Sequence, residues 1–242
     1  MKILALEFSS PQRSAAVVRA AVRENGLHEP HSPAAGAKSG ARAACFSEIE
    51  VSEVVETGPG TTGALVMIDR VLREAKLERE QIECLAIGLG PGSYTGIRAA
   101  IALAQGWQLA CGVKLLGISS AECLALQAQT EGLAGRVNVV IDAQRGEFYL
   151  SSYDIGMEGD CETLPLRLAT LAEVRERDQA GGILIGPEVT RWFPTGRICF
   201  PRAAILGRLA LSRTDYVAGE KLEPIYLRET KFVKAPPPRA LS

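Results

Sequence analysis

A glycine-rich turn in the first half of this 242-residue chain has residue types and spacing that could do chemistry. Residues 88–96 contain four glycines between an apolar run and an apolar, helix-forming segment. A strand, a glycine-rich turn and a helix in this order can bind an anion, because the N–H groups of the first helical turn are free. No lysine follows the last glycine, as a G-x-x-x-x-G-K-[ST] phosphate loop requires, and Ser93 interrupts the dinucleotide pattern. A tight crossover turn is therefore favoured, while an anion site stays open.

Two carboxylates end predicted strands and could hold a divalent cation. Glu7 closes the first apolar run of the chain, and Asp142 closes a similar run in the second half. In actin-like ATPases, acids at such strand ends hold magnesium and orient water, but this is an analogy of fold only. Phe8-Ser9-Ser10 follows Glu7 where those ATPases carry a glycine-rich phosphate turn. Polar strand ends beside turns are the favoured interpretation.

The two histidines, His28 and His31, lie in a loop rich in glycine, proline and serine. No third histidine can complete a metal site or serve as a base for Ser93. Solvated loop histidines are therefore expected, and no metal is expected to bind.

Composition describes a globular chain of one large or two small domains, with 47% hydrophobic and 23% charged residues. The net charge of −1 gives no basic surface for nucleic acid. Six cysteines without a C-x-x-C pair indicate buried free thiols in a reducing compartment. No signal peptide is recognised, and no apolar run approaches the roughly 20 residues of a membrane span. A cytoplasmic protein without membrane contact is expected.

Hydrophobic periodicity predicts a mixed α/β fold with helices on both faces of its sheets. The predicted strands are 2–8, 14–19, 46–51, 84–89, 114–118, 137–142, 146–153 and 182–186, and the predicted helices are 62–76, 96–111, 123–129, 171–179 and 203–213. The first half has the order of a ribonuclease-H-like half-domain, which actin, sugar kinases and heat-shock ATPases use twice. The strand–turn–strand opening recurs in the second half, which hints at the same duplication.

The predicted organisation is therefore two-lobed. Residues 1–133 form an N-terminal ribonuclease-H-like lobe, with 23–42 as a loop insertion, and 134–242 form a smaller lobe with a flexible tail. The helix at 96–111 is apolar nearly all round, which indicates burial on two sides. Its polar residues Arg98, Gln105 and Gln108 lie within a narrow stripe.

Several blocks of sequence resemble the TsaB family, also called YeaZ. They follow the family's order over nearly the whole chain: Ile3 to Ser10, Gly90-Pro91-Gly92-Ser93-Tyr94-Thr95-Gly96-Ile97-Arg98, Ala104-Gln105-Gly106, Gly117 to Ser120, Ile141 to Tyr149 and Pro224 to Arg228. The block from Gly90 to Arg98 is the most specific of these. Glu7, where the family usually has aspartate, and residues 23–42 depart from the pattern.

The resemblance implies an actin-like scaffold or activating subunit with no catalytic reaction of its own. Its partner would be the paralogue TsaD, which transfers a threonylcarbamoyl group to adenosine 37 of tRNAs reading codons that begin with A. The ATPase TsaE would complete the complex, tRNA would be contacted only indirectly, and the chain would form homodimers without TsaD. No cofactor of its own is implied, and a nucleotide at the TsaB–TsaD–TsaE interface stays open.

The resemblance places the TsaD contact on the helices at 62–76 and 96–111. The residues expected to bind the partner are Leu65, Met67, Ile68, Val71, Tyr94, Arg98, Ile101, Ala104, Gln105 and Gln108. TsaD holds a metal through histidines on its first helix, and this chain has none between Thr61 and Lys76. A metal-dependent peptidase-like protein and an ATP-binding actin-like protein remain as alternatives.

Overall fold

The first of two five-stranded sheets organises the N-terminal half of the computed structural model, which describes residues 1–22, 46–58, 63–156 and 159–228. Its strands, in the order β3-β2-β1-β4-β5, are β1 (Lys2–Glu7), β2 (Gln12–Val22), β3 (Phe46–Thr57), β4 (Cys84–Gly88) and β5 (Lys114–Ile118). The first three run antiparallel, and β4 and β5 continue parallel to β1. β1 is an unbroken apolar run because both of its faces are covered.

The second sheet repeats this topology strand for strand. Its order β8-β7-β6-β9-β10 comprises β6 (Gly135–Asp142), β7 (Glu147–Gly156), β8 (Gly159–Thr170), β9 (Ile183–Gly186) and β10 (Arg197–Ile198). Again three antiparallel strands are followed by two parallel ones. The matching order confirms the predicted duplicated, two-lobed α/β fold.

Helices cover both faces of each sheet. The helices of the described residues are α1 (Ala64–Glu74), α2 (Tyr94–Cys111), α3 (Ser120–Thr130), α4 (Leu171–Gln179) and α5 (Ala203–Leu211). α1 lies over β2 and β3, and α2 lies over β4, β1 and β5, on the same face of the first sheet. α4 covers the outer face of the second sheet. Short 3₁₀ turns occur at Arg79–Gln81, Val189–Arg191 and Gly219–Lys221.

The two lobes exchange helices through the layer between the sheets. α3 follows the first sheet in sequence, yet its residues Leu124, Ala125 and Ala128 pack against the second sheet. α5 follows the second sheet in sequence, yet Leu206 and Ala210 pack against the first. The boundary expected near residue 134 therefore separates the sheets but not the helices that cover them, because each apolar helix face is buried by the other lobe's sheet.

Two other expectations concern segments outside the described residues. These are the loop insertion at 23–42 and the flexible end of the tail beyond residue 228. Within the described ranges, none of the helices combines the length and the apolar character that crossing a membrane requires.

Candidate functional site

The glycine-rich turn brings the start of α2 against the turn between β1 and β2. A Cβ atom at Gly96 would overlap the Phe8 carbonyl oxygen, and one at Gly92 would overlap the Ser9 carbonyl oxygen. The Ser93 N–H donates to that Ser9 oxygen at 2.6 Å. The glycines are therefore needed for close backbone approach, which accounts for the crossover interpretation. Ser93 then caps the helix by accepting a bond from the Gly96 N–H at 3.4 Å.

α2 has one buried side and one outward side. Ile97, Ala100, Ile101 and Ala104 pack into the core between α2 and the first sheet. On the opposite side Arg98, Ala102 and Gly106 are exposed, and Leu109 is 89% exposed. Their spacing of four and then three residues makes one stripe of mostly small and apolar residues along the helix. A Cβ atom at Gly106 would meet no atom within 4 Å.

α1 adds two more exposed apolar side chains on the same face of the first sheet. Leu65 and Val66 are 61% and 66% exposed. The rest of its outward surface is charged and carries the ion pairs Arg70–Glu74 and Arg73–Asp69. We call six exposed residues of the two helices the docking face: Leu65, Val66, Arg98, Ala102, Gly106 and Leu109.

The residues expected to bind a partner fall into three groups. Leu65, Tyr94 and Arg98 are exposed. Five others are core residues whose side chains do not reach the surface: Met67, Ile68, Val71, Ile101 and Ala104. The apolar rows that contain them face the sheet, and their binding to a partner stays a prediction.

Gln105 and Gln108 form the third group, and they anchor the C-terminal segment. The Gln105 side chain donates to the Gly219 carbonyl oxygen at 2.9 Å, and the Gly219 N–H donates to Gln108 Oε1 at 2.8 Å. Both glutamines are half-buried, and both serve intramolecular packing. The exposed residues missed by the sequence interpretation are Val66, Ala102, Gly106 and Leu109, although the spacing of the last three was a usable signal.

Tyr94 and Arg98 form a small cluster where α2 begins. The Arg98 guanidinium donates to the Tyr94 hydroxyl at 2.6 Å and lies 5.2 Å from the ring centroid. Tyr226, from the C-terminal segment, stacks on the Tyr94 ring with 5.4 Å between centroids. Arg228 then reaches Glu147 at the start of β7. The last described residues thus run from one lobe to the other.

A cleft of about 950 Å³ separates the lobes beside this cluster. One wall is the β1–β2 turn with the N-terminus of α2, and the other is the end of β6 with Pro187 and Glu188. Arg13, which is 8% exposed, lines the first wall. Glu188 has a raised pKa, because it is partly buried and lies near the Asp142 carboxylate.

The two strand-end carboxylates are both engaged within the chain. Glu7 is fully buried and accepts bonds from the Ser9 N–H and the Ser120 hydroxyl, each at 2.8 Å. Burial raises the pKa of its carboxyl group, although these hydrogen bonds act in the opposite direction. Asp142 accepts bonds from the Gln144 N–H at 2.7 Å and from its amide group at 3.2 Å.

Thiols and metal-binding groups in the described ranges form no further site. Cys84, Cys123 and Cys199 are buried and reduced as expected, but Cys111 and Cys161 are exposed, contrary to expectation. Cys45 and the histidines lie outside the described residues. Across those ranges, no three His, Cys, Asp or Glu side chains lie close enough together to hold a metal ion.

Most of the chain is similar in sequence to known proteins. The family model described as "TsaD: tRNA N6-adenosine threonylcarbamoyltransferase" matches residues 61–222. The tRNA threonylcarbamoyladenosine biosynthesis protein TsaB of Escherichia coli is 29% identical over 185 residues, which is 69% of this chain and 80% of that protein. The Haemophilus influenzae protein of the same name is 36% identical over 91 residues, 38% of this chain and 39% of that protein.

A solved structure agrees with these matches. A Pseudomonas aeruginosa protein described as similar to peptidase YEAZ superposes with a TM-score of 0.70 and 25% identity, over 94% of this chain and 99% of that one. This chain belongs to the TsaD-related family and, within it, to the TsaB/YeaZ group. In this TsaB/YeaZ member the family match includes both helices of the docking face and all the elements of the second sheet.

Proposed function

We propose that this chain is a non-catalytic accessory subunit for threonylcarbamoylation of adenosine 37 in tRNAs that read codons beginning with A. It binds TsaD through the docking face, and TsaE joins the assembly. Without TsaD, two copies associate through the same face. The names of the E. coli and H. influenzae relatives support the pathway.

The observation that carries the docking role is the outward side of α2. A helix covered only by its own sheet normally presents a broad polar surface to water. Here Ala102, Gly106 and Leu109 are exposed on that side, with Arg98 the charged group among them. Small residues let a second helix approach closely, and burial of the apolar area contributes about 25 cal/mol per Å² to association.

A non-catalytic role is supported by the state of the strand-end acids. Both Glu7 oxygens accept hydrogen bonds from within the N-terminal lobe, and Asp142 is held by Gln144. Neither carboxylate is left unbonded toward the cleft. Catalysis of the transfer then belongs to TsaD.

The test places an arginine at the centre of the docking face. Ala102→Arg puts a charge where a partner helix would have to bury it, which weakens TsaD binding at least 100-fold, or about 2.7 kcal/mol. Ala172→Arg is the matched control, because Ala172 is also an exposed helical alanine, but on α4 in the other lobe. Affinity is measured by calorimetry with purified TsaD, and the melting temperature checks the fold.

The same pair of variants tests the pathway in cells that lack their own copy. The wild type and Ala172→Arg should restore threonylcarbamoyladenosine in bulk tRNA, whereas Ala102→Arg should not. Equal TsaD affinity for both variants would show that TsaD does not bind through the docking face. A wild-type chain that neither binds TsaD nor restores the modified nucleoside would contradict the accessory role itself.

A further inference from the structure

Among the described residues, Arg13 is a buried cation without a partner. Its side chain is 8% exposed, and its Nε and Nη1 atoms are buried without any hydrogen-bond acceptor. Glu56 is its register neighbour on β3, but the two form none of the described ion pairs, and the Glu56 carboxylate lies beside Gly63. A buried guanidinium left unpaired is costly, so its position calls for an anion that the described part of the chain does not supply.

Arg13 lines the cleft together with the start of an 18-residue helix. Arg13 and the first residues of α2, Ser93 to Gly96, belong to the same cleft wall. The N–H groups of Tyr94 and Thr95 have no acceptor within the helix, and no described hydrogen bond supplies one. Free N–H groups and the helix dipole favour negative charge at this point.

The remaining lining groups suit the same kind of ligand. Ser9 and Ser10 lie on the same wall as Arg13 and add polar groups to it. Asp142 and Glu188 lie on the opposite wall, where they repel an anion and direct it toward the first. A volume of about 950 Å³ is large enough for a small molecule attached to the anionic group.

We propose that the cleft binds a small molecule through an oxyanion, a phosphate or carboxylate group, held between the Arg13 guanidinium and the N-terminus of α2. This ligand site is separate from the docking face and does not depend on TsaD. The ligand is bound without chemical change. Charge pairing and N–H donation account for the affinity.

The first test is anion-dependent stability of the full chain alone. Inorganic phosphate is added at constant ionic strength, with sodium chloride as the balancing salt. At about tenfold excess over the dissociation constant the wild-type melting temperature should rise by about 3–6 °C. Arg13→Met should lose this rise, and without phosphate it should melt no lower than the wild type, because an unpaired buried charge has been removed.

Arg208→Met is the matched control, since it makes the same change at an exposed arginine of α5, away from the cleft. It should respond to phosphate as the wild type does. An equal anion response in all three proteins, or no response of the wild type to either phosphate or acetate, would overturn the proposal. If Arg13→Met does not fold, the wild type alone decides: phosphate or acetate should shift the Thr95 amide resonance saturably, and a resonance that neither anion moves rejects the site.

Parallel titrations distinguish the two sources of the oxyanion. A response to phosphate but not to acetate identifies a phosphorylated ligand, and a response to both identifies a general oxyanion site. A response to acetate alone identifies a carboxylate. Each of these supports the proposal, while a response to neither rejects it. TsaD is absent from every sample, so failure here is independent of the docking proposal.

Discussion

The Glu7 side chain is held in position by contacts on three sides. Its carboxylate bonds the Ser9 N–H in its own turn and the Ser120 hydroxyl at the start of α3. Gly88 lies beside it, and a Cβ atom there would overlap the carboxylate. Ser120 in turn accepts a bond from the Gly90 N–H at 3.2 Å. Glu7 thus joins the β1 end, the glycine-rich turn and α3.

Glu7→Gln tests the ionisation of this buried acid. The folded-state pKa of Glu7 lies above its ordinary value of 4.5, so between the two values the folded chain binds more protons than the unfolded chain. Its contribution to stability is therefore complete below pH 4.5 and is lost as the pH rises through the folded-state pKa. Relative to Glu7→Gln, the wild type should lose stability with rising pH, by about 1.4 kcal/mol for each unit of upward shift.

The measurement is urea unfolding of both proteins at several pH values from below 5 upward. Subtracting one curve from the other removes the titration of every group they share, including the histidines. A stability difference that stays constant with pH would mean that burial does not shift the ionisation of Glu7.

At the scale of single elements, three parts of α2 have separate structural roles. Its first turn abuts the β1–β2 turn and the cleft, its buried side packs on the first sheet, and its outward side forms most of the docking face. It ends at Cys111 and is capped by Gly112, whose φ of 67° is the left-handed conformation common at helix ends. Two glycines within α2, Gly96 and Gly106, differ in the space that a side chain would find.

Gly96→Ala and Gly106→Ala should change stability in opposite directions. Alanine is favoured over glycine in a helix by up to about 1 kcal/mol. At Gly106 the new methyl group meets open space, so the variant should gain about 0.5–1 kcal/mol. At Gly96 it overlaps the Phe8 carbonyl oxygen, and the net loss should be about 2 kcal/mol or more.

Both variants are compared with the wild type by thermal unfolding at concentrations where the chain is monomeric. The expected shifts are about 1–4 °C upward for Gly106→Ala and about 4–8 °C or more downward for Gly96→Ala. Equal shifts for the two variants would show that close approach of α2 to the β1–β2 turn does not constrain Gly96.

Elements whose apolar residues recur with a clear period were predictable from the sequence, and elements that depend on tertiary contacts were not. β5 and α4 were predicted with the bounds that the structure shows. β8 was missed because Pro165 lies among its alternating leucines and a proline argues against a strand, yet it is accommodated at a register shift on an edge strand. Periodicity identified the apolar rows of α1 and α2, but not which row faces the sheet, since that depends on long-range packing.

For the whole molecule, the exchange of α3 and α5 makes each lobe depend on the other. The inner face of the first sheet carries residues such as Ile3, Val18 and Leu116, and α5 covers it. The apolar side of α3 is covered by the second sheet. The contacts also include hydrogen bonds, since the Ala203 N–H at the start of α5 donates to the Ser14 hydroxyl on β2 at 2.8 Å.

Residues 1–134 should therefore not fold alone, even though they contain all five strands of the first sheet. Without α5 one face of that sheet, and without the second sheet one side of α3, would expose apolar side chains to water. Each such side chain loses roughly 1.5–3 kcal/mol of burial, which exceeds the stability of a typical domain after only a few residues. The isolated fragment should be insoluble or lack dispersed amide resonances.

Co-expression with residues 135–242 is the control, because it returns α5 and the second sheet without a covalent link. The two fragments should then co-purify as a soluble pair with a dispersed spectrum and a single unfolding transition. A dispersed spectrum from residues 1–134 alone would show that the first lobe is self-sufficient and that α5 merely adds to it. The fragment pair thus measures how far the duplicated sheets act as one cooperative unit, since the helices exchanged between them couple their two cores.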